Sequence, residues 1–360
     1  MKKLIKVLCA CLAVSMLLCS CGNNSAGSEN QDQADKNFEQ GMNYWYGING
    51  VDFDMEKARE YFKLSLDSGN EKALYWLGNI RSYDQDKDRF AEVLDYYQKS
   101  ADTDHGYGYY GLGTLYETGY WVEKNIEKAL EYYNKALDLG CEMGAVALGI
   151  YYGNGSHMDN GVETDSEKAE EYFLKALESK DFEARNAARV QLGNLYYYGI
   201  GKQVDMAKAE SYYKPADEEG YYLGNRMMGN LYRYGDNKDS SKMLEHYEKE
   251  IRHGYGYSLA ETYLNGVNGV AQDPKKGVEM LNENIEKGDR SAAMSICGLV
   301  YAYASGTGVD QDKEEAIRLA YRAIDACGPF DDSDDPNDRL HKPLPYARYI
   351  LYFYGVPYDN

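Results

Sequence analysis

Ser211 and Lys214 form a Ser-x-x-Lys sequence. At this spacing a lysine on the next helical turn can take the proton of a serine hydroxyl and make it a nucleophile. Neither a Ser-Asp-Asn nor a Lys-Thr-Gly segment accompanies the pair, and residues 209–214 repeat a pattern found elsewhere in the chain. We therefore interpret Ser211 as an exposed serine beside core tyrosines, and we predict no catalytic residue.

An acidic run at residues 84–95 has the spacing of a twelve-residue calcium loop. The residues at its oxygen-ligand positions are Asp84, Asp86, Asp88, Glu92 and Asp95. However, Arg89 stands where the loop needs a glycine, and Asp95 is shorter than the usual bidentate glutamate. A shortened turn capped by aspartates is the favoured interpretation, and calcium binding is left open. We predict no cofactor and no metal.

The histidines and cysteines give no stronger site. His246 and His253 lie two helical turns apart, which is too far to share a metal ion without other ligands. Cys141 and Cys297 occupy positions typical of small core residues, and a bridge between Cys297 and Cys327 is left open. The sequence predicts packing or surface roles for these residues.

The dominant pattern is a helical hairpin that occurs about eight times. Its first helix carries Leu-Gly and tyrosine, as in residues 110–116, and its second carries Lys-Ala, paired tyrosines and alanine, as in residues 127–136. The anchor glycines Gly78, Gly113, Gly149, Gly193 and Gly229 recur after 35, 36, 44 and 36 residues, and the longest step has its extra residues in a polar turn at 154–161. This period indicates a solenoid of stacked hairpins.

Each feature of the hairpin has a physical cause. A glycine in the first helix lets the second helix approach closely, which outweighs its helix-propensity penalty of about 1 kcal/mol. Asp205, Asp273 and Asp312 precede second helices, and we expect them to cap or charge-stabilise those helices. Local chemistry and the long-range repeat therefore predict the same all-α structure.

This layout resembles the Sel-one-like repeat family, which is related to the tetratricopeptide repeats. The resemblance covers most of residues 38–328 and is degraded in the second and sixth copies, whose turn glycines are replaced at residues 84–88 and 236–239. It implies an α/α solenoid, a right-handed superhelix that serves as an adaptor or scaffold for other proteins. We assign residues 37–328 to the solenoid and residues 329–360 to a C-terminal loop and capping helix.

The N-terminus has the pattern of a secretory signal. Three lysines precede an apolar run at residues 8–18, which is shorter than the roughly 20 residues that span a bilayer. Residues 18–21, Leu-Cys-Ser-Cys, resemble the lipobox of bacterial lipoproteins, which implies a lipid on Cys21. We expect a signal peptide at 1–20, a flexible tether at 21–36 and attachment to a bacterial membrane outside the cytoplasm, through this lipid only. An uncleaved anchor and an ordinary cleaved signal are the alternatives.

The first helices are expected to line the concave face, as in tetratricopeptide arrays. Tyrosine, asparagine and arginine near the Leu-Gly pair would offer a peptide rigid aromatic area and amide hydrogen bonds. The predicted groove consists of Trp45, Tyr75, Asn79, Tyr83, Tyr110, Thr114, Glu117, Asn194, Tyr197, Tyr198, Arg226, Asn230, Arg233 and Tyr234. Four of these residues, Asn194, Arg226, Asn230 and Arg233, loosely resemble the carboxylate clamp of some tetratricopeptide domains. Many of the tyrosines are expected to pack between helices instead.

The charge of the chain narrows the class of partner. The chain has 59 acidic and 39 basic residues, a formal net charge of −20, which repels nucleic acid and anionic lipid surfaces. We predict a non-catalytic scaffold that binds a protein or peptide partner in the bacterial cell envelope. The alternatives are a cell-wall ligand-binding protein or vestigial penicillin-recognising enzyme, labelled at Ser211, and a structural spacer that uses its convex face.

Overall fold

The computed structural model describes residues 30–84, 89–119, 122–154, 164–288 and 290–327, together with residues 350, 351 and 354. Between residues 30 and 327 the described chain forms sixteen helices and no strand. They are α1 (30–46), α2 (Met55–Asp67), α3 (Ala73–Ser82), α4 (Arg89–Asp102), α5 (Gly106–Thr118), α6 (Ile126–Asp138), α7 (Met143–Asn154), α8 (Ser166–Leu177), α9 (Phe182–Tyr197), α10 (Met206–Glu218), α11 (Tyr222–Tyr234), α12 (Ser240–Arg252), α13 (Tyr257–Asn265), α14 (Pro274–Glu286), α15 (Ala292–Ser305) and α16 (Lys313–Cys327). Successive helices pair as eight hairpins, which confirms the predicted all-α solenoid.

Acidic and amide side chains begin the second helices of the hairpins. The predicted caps are confirmed at Asp205, Asp273 and Asp312, whose side chains accept the backbone N–H three residues later at 2.8, 3.2 and 3.0 Å. These bonds satisfy N–H groups that a first helical turn leaves unpaired. The same contact is made by Asp54, Asn125 and Asp165. Each of these six second helices therefore starts at a position fixed by its own sequence.

Anchor glycines face aromatic rings in the first six hairpins. A Cβ atom added to Gly193 would lie 2.2 Å from Cε1 of Tyr213, and one added to Gly113 would lie 2.5 Å from Cε1 of Tyr133. The corresponding pairs in the other hairpins are Gly41 with Phe62, Gly78 with Tyr97, Gly149 with Phe173 and Gly229 with Tyr247. These contacts confirm that glycine is present because the partner ring occupies the space of a side chain.

The seventh hairpin solves the same packing problem with other residues. Ala260 takes the glycine position, Leu281 takes the ring position, and both are fully buried in one cluster. A smaller partner residue leaves room for one methyl group, so the volume shared by the two helices is conserved. The hairpin keeps its packing although its sequence departs from the others.

The array coils until its first hairpin contacts the fifth, the sixth and the loop before the eighth. The backbone N–H of Phe53 donates to the carbonyl oxygen of Arg252 at 2.8 Å, and the rings of Tyr46 and Phe182 lie 4.8 Å apart. Gly47 has a φ of 66°, and a Cβ atom there would lie 2.3 Å from the same carbonyl oxygen of Arg252. We call the contacts of residues 45–53 with these later hairpins the closure interface.

The two ends of the chain are described only in part. Ile350 and Leu351 are buried in the apolar cluster that includes Leu319 of α16, and the rest of the predicted loop and capping helix at 329–360 lies outside the described residues apart from Tyr354, which packs against this cluster. The predicted signal peptide, Cys21 and residues 22–29 of the predicted tether also lie outside them. Residues 30–36, predicted as part of a flexible tether, instead form the start of α1, where Ala34 is buried and its carbonyl oxygen accepts a hydrogen bond from Ser65 at 2.8 Å. Among the described helices, none combines the length and apolar character needed to cross a bilayer.

Candidate functional site

A cavity of about 360 Å³ lies inside the coil of the solenoid. The first helices α1, α3, α5, α9 and α11 contribute to its walls, with Tyr255 after α12 and Arg290 before α15. We call this cavity the central pocket. Six residues of the predicted groove line it: Trp45, Tyr75, Asn79, Tyr83, Tyr110 and Thr114. The structure therefore brings together the part of the predicted groove that comes from the first three hairpins.

Aromatic rings form most of the walls of the central pocket. Tyr75 stacks on Tyr97 with ring centroids 5.4 Å apart, and Tyr222 stacks on Tyr255 at 4.2 Å. Burial raises the pKa of the Tyr75 and Tyr222 phenols, so both remain neutral at physiological pH. Such walls offer a ligand rigid apolar area together with neutral hydroxyl groups.

Glu183, in the first turn of α9, places a carboxyl group in the pocket wall. Its Oε1 accepts a hydrogen bond from the hydroxyl of Tyr221 at 3.0 Å, and its Oε2 accepts one from the hydroxyl of Tyr46. Burial raises the pKa of Glu183, although the bond from Tyr46 and the charge of Arg290 oppose this effect. Two tyrosine hydroxyls thus hold the carboxyl group of Glu183 in place, and this group ionises less readily than an exposed glutamate.

Arg290 places a buried guanidinium group in the same wall. Only 8% of the surface of Arg290 is exposed to solvent. The guanidinium carbon lies 3.8 Å from the ring centre of Trp45 and 4.7 Å from that of Phe53, and Nη2 donates to the carbonyl oxygen of Trp45. Among the described residues it has no carboxylate ion-pair partner, and its Nε has no acceptor.

The loop before α15 fixes the position of Arg290. Its backbone N–H donates to the carbonyl oxygen of Gly254 at 2.9 Å, and the hydroxyl of Ser291 accepts the N–H of Gly256 at 3.2 Å. These bonds hold Arg290 beside the segment that carries Tyr255. The guanidinium is therefore positioned by backbone contacts and not by an opposite charge.

Three polar residues of the predicted groove accept hydrogen bonds from tyrosines of their own hairpins. Asn194 and Asn230 accept hydrogen bonds from the buried hydroxyls of Tyr213 and Tyr247 at 2.8 and 2.7 Å. Glu117 does the same for the equivalent tyrosine of the third hairpin at 2.6 Å. A buried phenol needs such an acceptor, so these side chains first serve the core.

Both arginines of the predicted carboxylate clamp are ion-paired within the chain. Nε of Arg226 donates to Glu250 at 2.6 Å, and Nη1 of Arg233 donates to Glu261 at 2.6 Å. Glu250 is fully buried. These guanidinium groups already have carboxylate partners.

Three further tyrosines of the predicted groove also lie away from the central pocket. Tyr198 and Tyr234 are 51% and 52% exposed, and burial raises the pKa of Tyr197 to about 12. Together with the five polar and charged residues above, they do not line the central pocket. Tyr198 and Tyr234 are exposed on the fifth and sixth hairpins, respectively.

Among the residues of the central pocket that sequence analysis missed, Glu183, Tyr222, Tyr255 and Arg290 come from the fifth hairpin and beyond. They meet the first hairpin only because the solenoid coils, and the spacing of the repeats does not encode its pitch. Tyr255 directly follows the repeat-terminal Gly254, and Tyr222 lies two residues after Gly220. Tyrosine close to a repeat-terminal glycine is the sequence signal for these two residues.

Ser211 lies on the exposed face of α10. Its hydroxyl donates to the carbonyl oxygen of Lys208 at 2.6 Å, and Nζ of Lys214 lies 3.9 Å from a carboxylate oxygen of Glu218. Backbone bonding of this kind is the ordinary state of a serine within a helix. The interpretation of Ser211 as an exposed serine beside core tyrosines is supported.

The candidate metal ligands are engaged with other groups. Asp84 is ion-paired with Arg59 at 2.7 Å and with Arg81 at 2.8 Å, and residues 85–88 of the acidic run, where calcium binding was left open, lie outside the described residues. His246 contacts Asp217 at 2.7 Å. The described parts of the chain contain no group of three or more His, Cys, Asp or Glu residues that could hold a metal ion.

The two described cysteine side chains are buried, as expected for core residues. Cys141 is 7% exposed, and burial raises the pKa of its thiol to about 12. Cys297 is also 7% exposed. The side chain of Cys327 lies outside the described residues, so its pairing with Cys297 stays a prediction.

The repeats match a known family. The Sel1 repeat family model matches residues 39–70, 106–141, 143–181, 186–221, 257–289 and 291–326, which is more than half of the chain. The chain belongs to the Sel1 repeat family. The matches fall on every Sel1 hairpin except the second and sixth, which are the two copies predicted to be degraded.

Individual relatives of this Sel1 repeat chain are distant. A component of the ERAD-associated E3 ubiquitin-protein ligase, HRD3B from Arabidopsis thaliana, is 29% identical over 89 residues, which are 25% of this chain and 14% of that protein. A Sel1 repeat protein from Oxalobacter formigenes has 22% identity and a TM-score of 0.44, over 89% of this chain and 91% of that one. A protective antigen of uropathogenic Escherichia coli with an SLR fold has 20% identity and a TM-score of 0.30, over 91% and 81%.

Proposed function

We propose that this Sel1 repeat chain is a non-catalytic scaffold that binds a protein or peptide partner through the central pocket. Sel1 repeat proteins are generally protein-interaction scaffolds. The observation that carries the proposal is the composition of the pocket, in which aromatic walls surround the buried carboxyl group of Glu183 and the guanidinium groups of Arg89 and Arg290. Aromatic pockets with a few placed polar groups are typical binding sites.

The closure interface makes the pocket suited to recognition. Hydrogen bonds between residues far apart in sequence, such as Tyr46 to Glu183, hold opposite walls of the pocket together before any ligand arrives. A preorganised site loses less conformational entropy when it binds. The partner therefore meets walls that are already in place.

We also propose that the scaffold is a lipoprotein, held outside the cytoplasm by a lipid on Cys21 and by a tether between Cys21 and the start of α1. The support is the sequence pattern at residues 2–21 and the polar composition that follows it. The change Cys21→Ala should release the chain from membranes. Mass spectrometry of the mature N-terminal peptide should show a lipid on Cys21, and an unmodified N-terminus at another residue would contradict this.

Crosslinked capture from a bacterial envelope tests the binding proposal. The full chain with a C-terminal tag is compared with Tyr83→Ala, which removes a 36% exposed ring at the pocket. Thr114→Phe provides a second variant, because the added ring would fill the cavity. We expect both variants to lose a partner that the unchanged chain captures reproducibly.

The chain offers a matched control for this capture. The change Tyr234→Ala removes an exposed ring that lies outside the central pocket. It should leave capture unchanged. Equal recovery by all variants would place the partner on another face, and loss with Tyr234→Ala alone would place it on the surface of the fifth and sixth hairpins.

A further inference from the structure

We propose that the central pocket recognises a carboxylate borne on an aromatic or bulky apolar group, and that Arg290 binds this carboxylate. The inference rests on the proposed function, because the group belongs to the last residue of a peptide partner. It adds the chemistry that selects the partner. The starting observation is a buried guanidinium group with no carboxylate at ion-pair distance among the described residues.

Arg290 differs from Arg59, Arg226 and Arg233. Arg226 and Arg233 each lie 2.6 Å from a carboxylate oxygen, and Arg59 lies 2.7 Å from Asp84. Arg290 is buried to a similar degree, yet it has no such partner among the described residues. In a chain with 59 acidic residues, a buried guanidinium without a carboxylate is a site that an incoming anion can complete.

Aromatic rings hold the guanidinium without neutralising its charge. The ring centres of Trp45 and Phe53 lie 3.8 and 4.7 Å from the guanidinium carbon, and the ring centre of Tyr222 lies 5.6 Å away. Cation–π contacts offset part of the cost of burying the charge, but the donor at Nε still lacks an acceptor. A carboxylate is planar and matches the edge of a guanidinium, so it supplies both the charge and the acceptor.

Glu183 narrows the choice of anion. It lines the same pocket, and burial raises its pKa, although the charge of Arg290 partly opposes this effect. A phosphate dianion would bring two negative charges beside this acidic group, whereas a carboxylate brings only one. The two tyrosine hydroxyls bound to Glu183 keep its oxygens occupied. The pocket therefore favours a monovalent anion.

The walls define what carries the carboxylate. Tyr75, Trp76 and Tyr110 line the cavity, and its volume of about 360 Å³ has room for one aromatic residue and part of its neighbour. The exposed ring of Tyr83 also lines the pocket. A peptide that ends in phenylalanine would place its ring among these walls and its terminal carboxylate at Arg290.

Binding of defined probes to the full chain in detergent micelles tests the inference. The probes are acetyl-Ala-Ala-Phe with a free carboxylate, the same peptide as its C-terminal amide, 3-phenylpropanoate and inorganic phosphate. Titration calorimetry gives each Kd, and the fluorescence of Trp45 and Trp76 reports occupancy of the pocket. We expect the free acid to bind at least tenfold more tightly than the amide, and phosphate to bind more weakly than either.

Variants separate the role of Arg290 from a general loss of structure. The change Arg290→Gln should remove the difference between acid and amide, whereas Arg318→Gln, at an exposed arginine on α16, should leave it intact. The acid–amide comparison on the unchanged chain remains decisive even if Arg290→Gln does not fold. Equal binding of acid and amide, or no binding of the acid, overturns the inference.

The remaining outcomes show whether the carboxylate belongs to a peptide or to a free acid. They also separate a failure of this inference from a failure of the proposed function. Binding of 3-phenylpropanoate as tight as that of the peptide acid would keep Arg290 as the carboxylate site but replace the peptide with a free acid. Partner capture that depends on Tyr83 together with equal binding of acid and amide would overturn this inference alone. Tight binding of the peptide acid without any captured protein partner would overturn the scaffold proposal instead.

Discussion

Nδ1 of His253 donates to the carbonyl oxygen of Tyr46 across 2.6 Å, although 207 positions separate the two residues in the sequence. The carbonyl can only accept, so Nδ1 carries the proton. The hydroxyl of Tyr46 in turn donates to Glu183. One residue of α1 thus connects the sixth hairpin to the wall of the central pocket.

Replacing His253 with leucine should weaken the closure interface. The lost hydrogen bond leaves the carbonyl oxygen of Tyr46 buried without this partner, which costs about 1–3 kcal/mol of unfolding free energy. Denaturant unfolding measures this loss, and small-angle scattering should show an increased radius of gyration. Leu64→Ala, at an exposed leucine, is the control and should change neither quantity by a comparable amount.

The same histidine should make stability depend on pH. Burial lowers the pKa of His253, and the charges of Arg290 and Arg252 lower it further, against the bond to Tyr46 and the charge of Asp217. The unfolded chain therefore takes up a proton first, and stability falls as the pH drops below the ordinary histidine value toward the lowered one. Melting temperatures at pH 5 and 7.5 should differ less in His253→Gln. Part of the difference should remain, since burial also lowers the pKa of His105.

Gly193→Ala should be strongly destabilising, because the new Cβ atom would lie 2.2 Å from the ring of Tyr213. Overpacking of this kind costs about 1–3 kcal/mol. The double variant Gly193→Ala with Tyr213→Leu copies the arrangement of Ala260 and Leu281, so it should recover part of the loss. Thermal unfolding of the single and double variants measures this coupling. The role assigned to the glycine would be contradicted if the double variant lost as much stability as Gly193→Ala alone, or as much as the two single variants together.

The hairpins could be predicted from sequence because their causes are local. The cap at Asp205 acts within one turn, and Gly193 meets a ring of its own hairpin. Each copy repeats these relations, so the period gives the fold and the order of the helices. Insertions in turns, such as residues 154–161, change the spacing without changing the pattern.

Only part of the central pocket could be predicted, because its walls meet through the coiling of the solenoid. The pitch of that coil arises from many small rotations between hairpins. Tyr75 and Tyr110 lie on neighbouring hairpins and were identified from their common register. Arg290 contacts Trp45 although 245 residues separate them in the sequence. A period shows that hairpins stack, but not which distant hairpins meet.

Glu219 should support stability at neutral pH and lose this effect in acid. Burial opposes its ionisation, but hydrogen bonds from Arg185 and Arg189, at 2.8 and 2.7 Å, and from Asn186 lower its pKa to about 2. Its contribution is therefore present above the ordinary glutamate pKa and disappears as the pH falls toward 2. Glu219→Gln should lower the melting temperature at pH 7 more than at pH 2.5. Glu218→Gln, whose side chain is 63% exposed, should show no such difference.

The buried pair of Arg226 and Glu250 allows a test of whether Arg226, a residue of the predicted groove, stabilises the fold or binds the partner. Arg226→Leu leaves the fully buried Glu250 without its cation, which we expect to cost about 3–5 kcal/mol. The double variant Arg226→Leu with Glu250→Leu removes both charges and should be less destabilised than the single one. Denaturant unfolding compares them. If the double variant is stable and still captures the envelope partner, Arg226 acts in the fold; if it is stable but captures nothing, the guanidinium contacts the partner.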